Sequence, residues 1–452
     1  MFQKLRAILL GESHGHSVRY FIGLGLLSLF GASTLAAAAT LCVNPGGKFG
    51  CKSSISAAVA AASAGDTIQV AQGTYKEQVV ITKSLSLVAA DDSHPVIDAT
   101  GLSNGIFVNG IWAAPNAGVA NVVISGFKIH NANFEGILIV NASNVTITVN
   151  HVVDNNKSLD IAGGTCPGMP AFETNEGDDC GEGIHLMAAD HSSVVRNEVD
   201  DNSGGILITD ETGTNHNNLI SGNFVHDNPF DCGITIASHG PATTVIPSAT
   251  LSFGVFDNTI AHNDVARNGF QVPGAGAGVG IFAPFPGTRA SGNVVIDNDL
   301  HDNGLPGVTM HNHAALPPRV PGPTVNMDDN VIVSNRISGN GEDTLDAATS
   351  GPTGINVYSV APITGTVISQ NIFDDEAIDV AFNAPTGQIN AHFNDFDKNG
   401  VGVDNIGKGT VDATENWWHC ATGPGGKKCS TIVGSGVTFM PWLTSPFDTD
   451  HH

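Results

Sequence analysis

The sequence predicts an all-β protein, a single-domain right-handed parallel β-helix with an N-terminal cap helix and a C-terminal cap. Three observations predict this solenoid: an Asn-containing phrase with an undecorated period of 22–26 residues and longer steps that contain Pro- and Gly-rich insertions, a Gly followed by alternating apolar residues in each repeat, and no amphipathic helix between them. A leucine-rich repeat of similar length would show a fixed Leu pattern, which is missing here. One solenoid can therefore take up most of the 452 residues.

The first phrase is an Asn followed five residues later by a second Asn, with apolar residues between them. Asn tolerates left-handed turn conformations, and amides at equivalent turns can bond from coil to coil. We therefore expect an Asn ladder inside the solenoid. The phrase recurs at Asn150/Asn155, Asn197/Asn202, Asn223/Asn228, Asn263/Asn268, Asn298/Asn303, Asn335/Asn340 and Asn394/Asn399, with degenerate copies at Gly126/Asn131, Asn371/Glu376 and Asn416/Ala421.

The second phrase predicts one strand per coil. Alternation with a period of two places the first and third residues after the Gly inside the coil and the second on the outer surface. We call the sheet formed by these strands the Gly-Ile face. The phrases begin at Gly136, Gly183, Gly205, Gly233, Gly280, Gly307, Gly354, Ala377 and Gly402.

We divide the chain into four segments: 1–39, 40–118, 119–419 and 420–452. Segment 40–118 is expected to hold the N-terminal cap and the first coils, 119–419 the β-helix, and 420–452 the C-terminal cap. Apolar residues at helical spacing within 53–64 predict a helix that closes the open end of the apolar bore. Trp417, Trp418 and Trp442 supply aromatic bulk for the C-terminal cap.

Segment 1–39 is typical of a secretory signal peptide. Lys4, Arg6 and Arg19 precede an apolar stretch at 20–35, which ends in four alanines. An uncleaved membrane anchor is the alternative, because the apolar stretch approaches the length needed to span a bilayer. We expect a secreted or periplasmic protein with no membrane partner after cleavage.

Seven cysteines fit an oxidising compartment. Six of them bracket short loops, so three local disulfides are plausible although spacing does not prove the pairing. Cys232 is left over, and its place before an apolar strand favours a buried inert thiol over a nucleophile. The bracketing pairs are Cys42/Cys51, Cys166/Cys180 and Cys420/Cys429.

Charge excludes several classes of partner. Only 13% of residues are charged, against about one quarter in ordinary domains, which argues against a coiled coil or a solvated helical bundle. The net charge is −25, and the 18 Lys and Arg residues are scattered, with Lys427 and Lys428 as an adjacent pair and no larger cluster. Binding to nucleic acid or to an anionic membrane needs cationic clusters, so neither is expected.

The two ends and the Gly-Ile strands together resemble a known family. The opening GDTIQVAQGTYKEQVVITKSLSLVAA and the closing NWWHCATGPGG are similar to those of secreted bacterial right-handed parallel β-helix repeat proteins of the pectin-lyase-like superfamily, over about residues 42–445. The resemblance implies the fold. It does not select a reaction, because members include polysaccharide lyases, hydrolases, epimerases, phage tailspikes and a periplasmic protein of copper-enzyme maturation.

Insertions on both sides of the Gly-Ile strands predict a groove for an extended polymer along this face. Four residues on consecutive coils are candidate catalytic groups: Asp210 and Glu211 as acid, base or Ca²⁺ ligands, and His185 and His239 as proton-transfer partners. Strands in adjacent coils lie about 4.8 Å apart, so Asp210 should reach both imidazoles. The alternative is that Asp210 and Glu211 merely form a turn.

The same face offers residues that would hold the substrate. Tyr358 and Phe282 could stack on sugar rings, and His311, His313 and Asn356 could bind hydroxyl groups. His311 and His313 could also form half of a transition-metal site, but no third ligand follows at fixed spacing.

A Ca²⁺ site is a further expectation. Glu182, Asp210 and Asp231 are its candidate ligands, beside an acidic loop that includes Glu173. These carboxylates lack a fixed hard-cation spacing, so a solvated acidic loop is the alternative. An acidic groove would bind an anionic polymer only with a divalent cation between them.

Three functions follow from these patterns. The first is a secreted, monomeric carbohydrate-active protein, an enzyme that cleaves or epimerises a polysaccharide. The second is a non-catalytic surface or periplasmic binding module that could bind metal, and the third is a trimeric fibre. The sequence lacks the Asp-Pro-His-Glu/Asp motif of alginate epimerases and the Gly-His-Gly plus Arg-x-Lys pattern of polygalacturonase-type hydrolases.

Overall fold

The computed structural model describes residues 38–447, except 92, 112–117, 164, 174–179, 241–251, 272–275, 285, 313–324, 346–348 and 399. Within these residues nearly all regular structure is β, with one α-helix at Ile55–Ala61 and a 3₁₀ turn at Lys48–Gly50. The signal peptide at 1–39 lies almost wholly outside the described residues and stays a prediction.

Each coil contributes strands to three faces, and all the strand ladders are parallel. The Gly-Ile face comprises Val79–Ile81, Ile106–Asn109, the first part of Ile137–Thr148, Ile184–Asp190, Ile206–Thr209, Ile234–Ala237, Val279–Phe282, Val308–His311, Thr353–Tyr358, Ile378–Asn383, Val401–Asn405 and Thr431–Gly434.

The second face continues from the Gly-Ile face within the same large sheet. It comprises Thr40–Val43, Thr67–Val70, Leu85–Ala89, Val119–Ser125, the last part of Ile137–Thr148, Ser193–Val195, Asn215–His216, Leu219–Ser221, Val255–Phe256, Thr259–Ala261, Ala290–Ser291, Val294–Ile296, Val331–Val333, Ile363–Ser369, Gly387–His392, Thr410–Asp412 and Val437–Thr438.

The third face is a separate sheet of ten short strands. It comprises Thr74–Tyr75, Val96–Asp98, Lys128–His130, His151–Val153, Glu198–Asp200, Phe224–His226, Asp264–Ala266, Asp299–His301, Arg336–Ser338 and Ile372–Asp374. The right-handed parallel β-helix predicted from the sequence is confirmed.

Apolar side chains from the three faces fill one continuous core. In the Gly-Ile strands the first and third residues face inward as predicted: Ile184 and Leu186 are fully buried in this core. The predicted phrases at Gly280 and Ala377 are each displaced by two residues, and Ile355 pairs with Val380 rather than with Ile378. The backbone of Ile234 bonds to Gly278, so that Val279 and Ile281 are the inward pair.

Asn ladders run along the corners between the faces. In the first, each amide donates to the next from Asn150 through Asn197, Asn223, Asn263, Asn298, Asn335 and Asn371 to Asn394 and Asn416. The second runs from Asn155 to Asn340 and ends on Glu376. A third, which the sequence analysis missed, joins Asn218, Asn258, Asn293 and Asn330.

Glu376 gives the second ladder a pH dependence. Burial, opposed by two hydrogen bonds from Asn340, raises the pKa of Glu376 from 4.5 to about 8. The native chain therefore retains a proton that the unfolded chain releases, so stability from this group is full below about pH 4.5 and is lost as the pH rises to about 8. Glu376→Gln keeps an oxygen acceptor for Asn340 but cannot ionise. We expect its urea midpoint to fall less than the wild-type midpoint between about pH 5 and 8.

The exposed Glu342 offers the control for this prediction. The Glu342→Gln variant should follow the wild-type profile. If the urea midpoint falls with pH equally steeply in wild type and Glu376→Gln, the prediction is contradicted.

The cap helix is confirmed but begins and ends inside the predicted range. Ser54 is the N-cap and accepts a hydrogen bond from Ala57, while Ala62 is already extended and ends the helix. The carboxylate of Glu77 adds a cap, because it accepts from Ile55 and Ser56 at 2.7 and 2.8 Å. At the other end, parallel pairing extends past residue 420, since Thr431–Gly434 pairs with Val401–Asn405.

The disulfide pairs Cys42–Cys51, Cys166–Cys180 and Cys420–Cys429 are all present, and Cys232 is a buried free thiol, as expected. None of the helices within the described part of the chain has the length and apolar composition needed to cross a bilayer.

Candidate functional site

The outward side of the Gly-Ile face is covered in its N-terminal coils. Leu138 and Met187 are buried there, and Phe172 from the 156–181 insertion packs on them and stacks with Phe107 at a ring-centroid distance of 6.4 Å. The expectation of an open groove is wrong for these coils, because an apolar outer surface is stabilised by a segment that removes it from water.

Glu211 lies between two imidazoles. Its carboxylate accepts a hydrogen bond from His239 Nδ1 at 2.7 Å. On its other side, the Thr209 hydroxyl is 2.8 Å from His185 Nε2 and helps to lower the pKa of Glu211 by hydrogen bonding. The exposed fractions of the His239 and Glu211 side chains are 5% and 0%. Three of the four predicted catalytic residues therefore form one buried cluster.

The register between coils explains this cluster. Ile208 pairs with Ile236, and Glu211 and His239 each follow three residues later, just beyond the ends of adjacent strands. The two side chains therefore occupy equivalent places about one strand spacing apart.

The Asp210 side chain points away from the two imidazoles. Its carboxylate accepts hydrogen bonds from Ser238 Oγ at 2.7 Å and from the backbone N–H groups of Gly240 and Gly254 at 2.9 and 2.7 Å. Its carbonyl accepts from the N–H of Gly213, which is the predicted turn. Consecutive residues after a strand point to different sides, so Glu211 rather than Asp210 meets the imidazoles.

The environments of Asp210 and Glu211 move their pKa values in opposite directions. Burial, together with the charge of Glu211, raises the pKa of Asp210 to about 6. Burial also opposes ionisation of Glu211, but the charge and hydrogen bond of His239 outweigh it and lower the pKa of Glu211. Burial lowers the pKa of His185 to about 4. At neutral pH, Glu211 is ionised and His185 is neutral.

Two further carboxylates reach His185, and one of them was missed. Glu135 was not among the candidates, although it precedes Gly136 as Glu182 precedes Gly183. Glu173 had been assigned only to an acidic loop. Both are buried, and their oxygens and a ring nitrogen of His185 all lie within 4.8 Å of one another. Burial raises the pKa of Glu135 to about 8 and that of Glu173 well above its ordinary value.

The predicted substrate-binding residues come together farther along the same face. His311 Nε2 lies 2.9 Å from Asp343 Oδ2, and the Asn356 amide lies within 3.1 Å of both. The rings of Phe282 and Tyr358 meet the His311 ring edge-on at centroid distances of 6.0 and 5.9 Å. The predicted partner His313 lies outside the described residues, so the half-site with His311 stays untested.

The three residues predicted to bind Ca²⁺ do not form one site. Glu182 and Asp231 flank Gly204, since a Cβ on Gly204 would lie 2.3 Å from Glu182 Oε2 and 3.1 Å from Asp231 Cβ. Asp210 lies beyond the far end of the following strand, about 20 Å away along the chain. Its carboxylate is already held by hydrogen-bond donors. These residues do not fit one Ca²⁺ ion.

Comparison with known proteins agrees with the fold. A family model described as a right handed beta helix region matches residues 103–252. The chain is a right-handed β-helix protein. No curated protein matches this β-helix protein in sequence.

Solved structures share the β-helix at low identity. The Dettilon tailspike protein is 14% identical with a TM-score of 0.54; the match covers 81% of this chain and 62% of the tailspike. The DFA-IIIase from Arthrobacter chlorophenolicus A6 without its lid is 12% identical with a TM-score of 0.51, over 84% of this chain and 89% of that one. The alginate lyase from Paenibacillus sp. str. FPU-7 is 14% identical with a TM-score of 0.48, over 74% and 95%. The likenesses to the tailspike and the DFA-IIIase are of fold alone.

Proposed function

We propose that this β-helix protein is secreted and acts on a polysaccharide, with Glu211 and His239 as its catalytic pair. The observation that carries the proposal is the 2.7 Å contact between a buried, ionised carboxylate and His239 Nδ1 on the Gly-Ile face. Three disulfides are in keeping with an oxidising compartment.

The pair has the geometry of a general base. A carboxylate that accepts the Nδ1–H fixes the tautomer of the ring, so that Nε2 can take a proton from the substrate. Because His239 is more exposed than Glu211, it is the member that reaches the substrate. Glu211 then acts as the positioning residue.

Proton abstraction is the chemistry that the site supports best. Glycoside hydrolysis needs a second carboxyl group that can give a proton to the leaving oxygen. The nearest such group in the sequence, Asp210, accepts three hydrogen bonds and is therefore held as an acceptor, while Glu135 and Glu173 are buried, with exposed fractions of 0% and 4%. A lyase or an epimerase begins by removing a sugar C–H proton, which His239 can accept; a lyase must then protonate the leaving oxygen, and an epimerase must return a proton to the opposite face of the sugar.

The aromatic cluster gives the polymer a second contact along the face. Phe282 and Tyr358 are half-buried beside His311. Partly exposed rings bury large apolar surfaces against a sugar at low entropic cost. A polymer that runs across the parallel strands would meet both clusters.

A non-catalytic binding module is the second candidate function. The full burial of His185 and Glu211 favours it, because buried polar clusters also serve as closed ligand sites.

Product analysis tests the leading proposal. Neutral and uronate polysaccharides are incubated with the purified protein, with and without chelator, and examined for unsaturated ends, new reducing ends and altered stereochemistry. We expect unsaturated ends or inverted centres from one class of polymer. Glu211→Gln should abolish them, whereas Glu198→Gln, an exposed glutamate on the third face, should not. Equal turnover by both variants would contradict the assignment.

A further inference from the structure

Three buried side chains from separate parts of the chain converge on one point beneath the 156–181 insertion. Glu135 precedes the strand Ile137–Thr148, His185 lies on the next strand of the Gly-Ile face, and Glu173 comes from the insertion. One ligand atom from each lies within 4.8 Å of the others. Their exposed fractions are 0%, 0% and 4%.

None of these groups has a hydrogen-bond donor among the described residues. Both carboxylate oxygens of Glu135, both of Glu173 and Nδ1 of His185 are buried without a partner. Polar groups destabilise the fold when they are left unpaired in a protein interior, and they do so more strongly when they are charged. The convergence of acceptors therefore calls for a cation or for protons at its centre.

The tautomer of His185 fits a cation. Its Nε2 lies 2.8 Å from the Thr209 hydroxyl, which in turn hydrogen-bonds to Glu211. A hydroxyl that gives its only proton to Glu211 accepts from Nε2–H. Nδ1 of the neutral ring is then left with a lone pair and no partner, as a ligand nitrogen needs when the other ring N–H is held by an outer hydrogen bond.

We propose that Glu135, Glu173 and His185 bind one divalent transition-metal ion. Two ligands on a zinc ion, each about 2.1 Å from it, are at most about 4.2 Å apart, and the three ligand atoms here lie within 4.8 Å of one another. One imidazole with two carboxylates suits Zn²⁺ or Mn²⁺, whereas Ca²⁺ takes six to eight oxygens.

The negative charge of the cluster also favours binding of a divalent cation. Glu135 and Glu173 bring two buried carboxylates to one imidazole, and like charges held this close repel one another when both are ionised. A divalent ion would neutralise this repulsion. It would also bind the carboxylate oxygens and the ring nitrogen that lack hydrogen-bond donors. This proposal does not rest on polysaccharide activity.

Metal titration of the full-length protein tests it. The chain is stripped with chelator and titrated with Zn²⁺, Mn²⁺ and Ca²⁺ in separate calorimetric experiments, with thermal unfolding followed in parallel. We expect one Zn²⁺ per chain and a rise in the midpoint of thermal unfolding, and only weak binding of Ca²⁺. Glu135→Gln and Glu173→Gln should each weaken Zn²⁺ binding by about 100-fold or more.

The control is a second imidazole–carboxylate group on the third face. His151, Glu198 and Asp200 also have ligand atoms within 4.8 Å, but they are partly exposed. His151→Ala should leave Zn²⁺ affinity unchanged. The proposal is overturned if the folded wild type binds no Zn²⁺, which would mean that protons fill the cluster, or if only His151→Ala abolishes binding. If Glu135→Gln fails to fold, Glu173→Gln on the insertion decides the outcome.

Discussion

Replacing His239 with alanine is expected to lower polysaccharide turnover by about 10²–10⁴-fold, the usual contribution of a general base. The expectation rests on the hydrogen bond of its Nδ1 to Glu211 and on its being the more exposed member of the pair. Substrate binding should change little, because the loss falls on the proton-transfer step. Initial rates over a range of substrate concentration measure the two effects separately.

His151 provides a matched control for this variant. Its ring lies 2.7 Å from Asp200, the same separation as in the catalytic pair, but on the third face. His151→Ala should therefore retain wild-type turnover. If both variants lose activity equally, the loss comes from stability, and the assignment of His239 as the base fails.

Asp210→Ala is expected to cause the largest loss of stability among the site residues, about 3–6 kcal/mol in the free energy of unfolding. The substitution leaves three donors without an acceptor: Ser238 Oγ and the N–H groups of Gly240 and Gly254. Each orphaned buried donor costs about 1–3 kcal/mol. Urea unfolding followed by circular dichroism measures the effect.

The exposed Asp374 serves as the control, since Asp374→Ala should cost little. This experiment also separates two roles for Asp210. A stable Asp210→Ala variant without turnover would make Asp210 catalytic, as the sequence first suggested. A destabilised variant that retains turnover below its unfolding midpoint would make it a structural anchor.

The fold could be predicted from the sequence because each coil of a β-helix repeats a short local sequence pattern. Asn197 and Asn223 recur at one coil length and bond to each other as predicted. Alternation alone placed Ile184 and Leu186 in the core. Two phrases, at Gly280 and Ala377, were displaced by two residues. Gly278 and Gly280 both precede apolar residues, and Ile378 and Val380 both fit the alternation.

The candidate site was harder to predict because it depends on contacts between coils. Glu135 and His185 lie 50 residues apart in the chain and meet only because the strands Ile137–Thr148 and Ile184–Asp190 pair in register. Whether Asp210 or Glu211 met the imidazoles depended on where the strand ended, which periodicity locates only to within a residue or two.

The covering of the Gly-Ile face is a third feature that could not be predicted from the sequence. Insertion lengths indicated loops beside the Gly-Ile face, but not which side chains they place on it. Phe172 is the only phenylalanine in the 156–181 insertion, and its contact with Leu138 and Met187 depends on how that loop folds back. Loop conformation is determined by packing and not by a repeat.

A double-mutant cycle on Glu211 and His239 tests the central claim most directly. Turnover of the responsive polysaccharide is measured for Glu211→Gln, His239→Ala and the variant with both changes. If Glu211 works through His239, the double variant should be no slower than His239→Ala alone, because residues that act as one unit are strongly non-additive. Losses that add in free energy would show that the two residues act separately and would contradict the account.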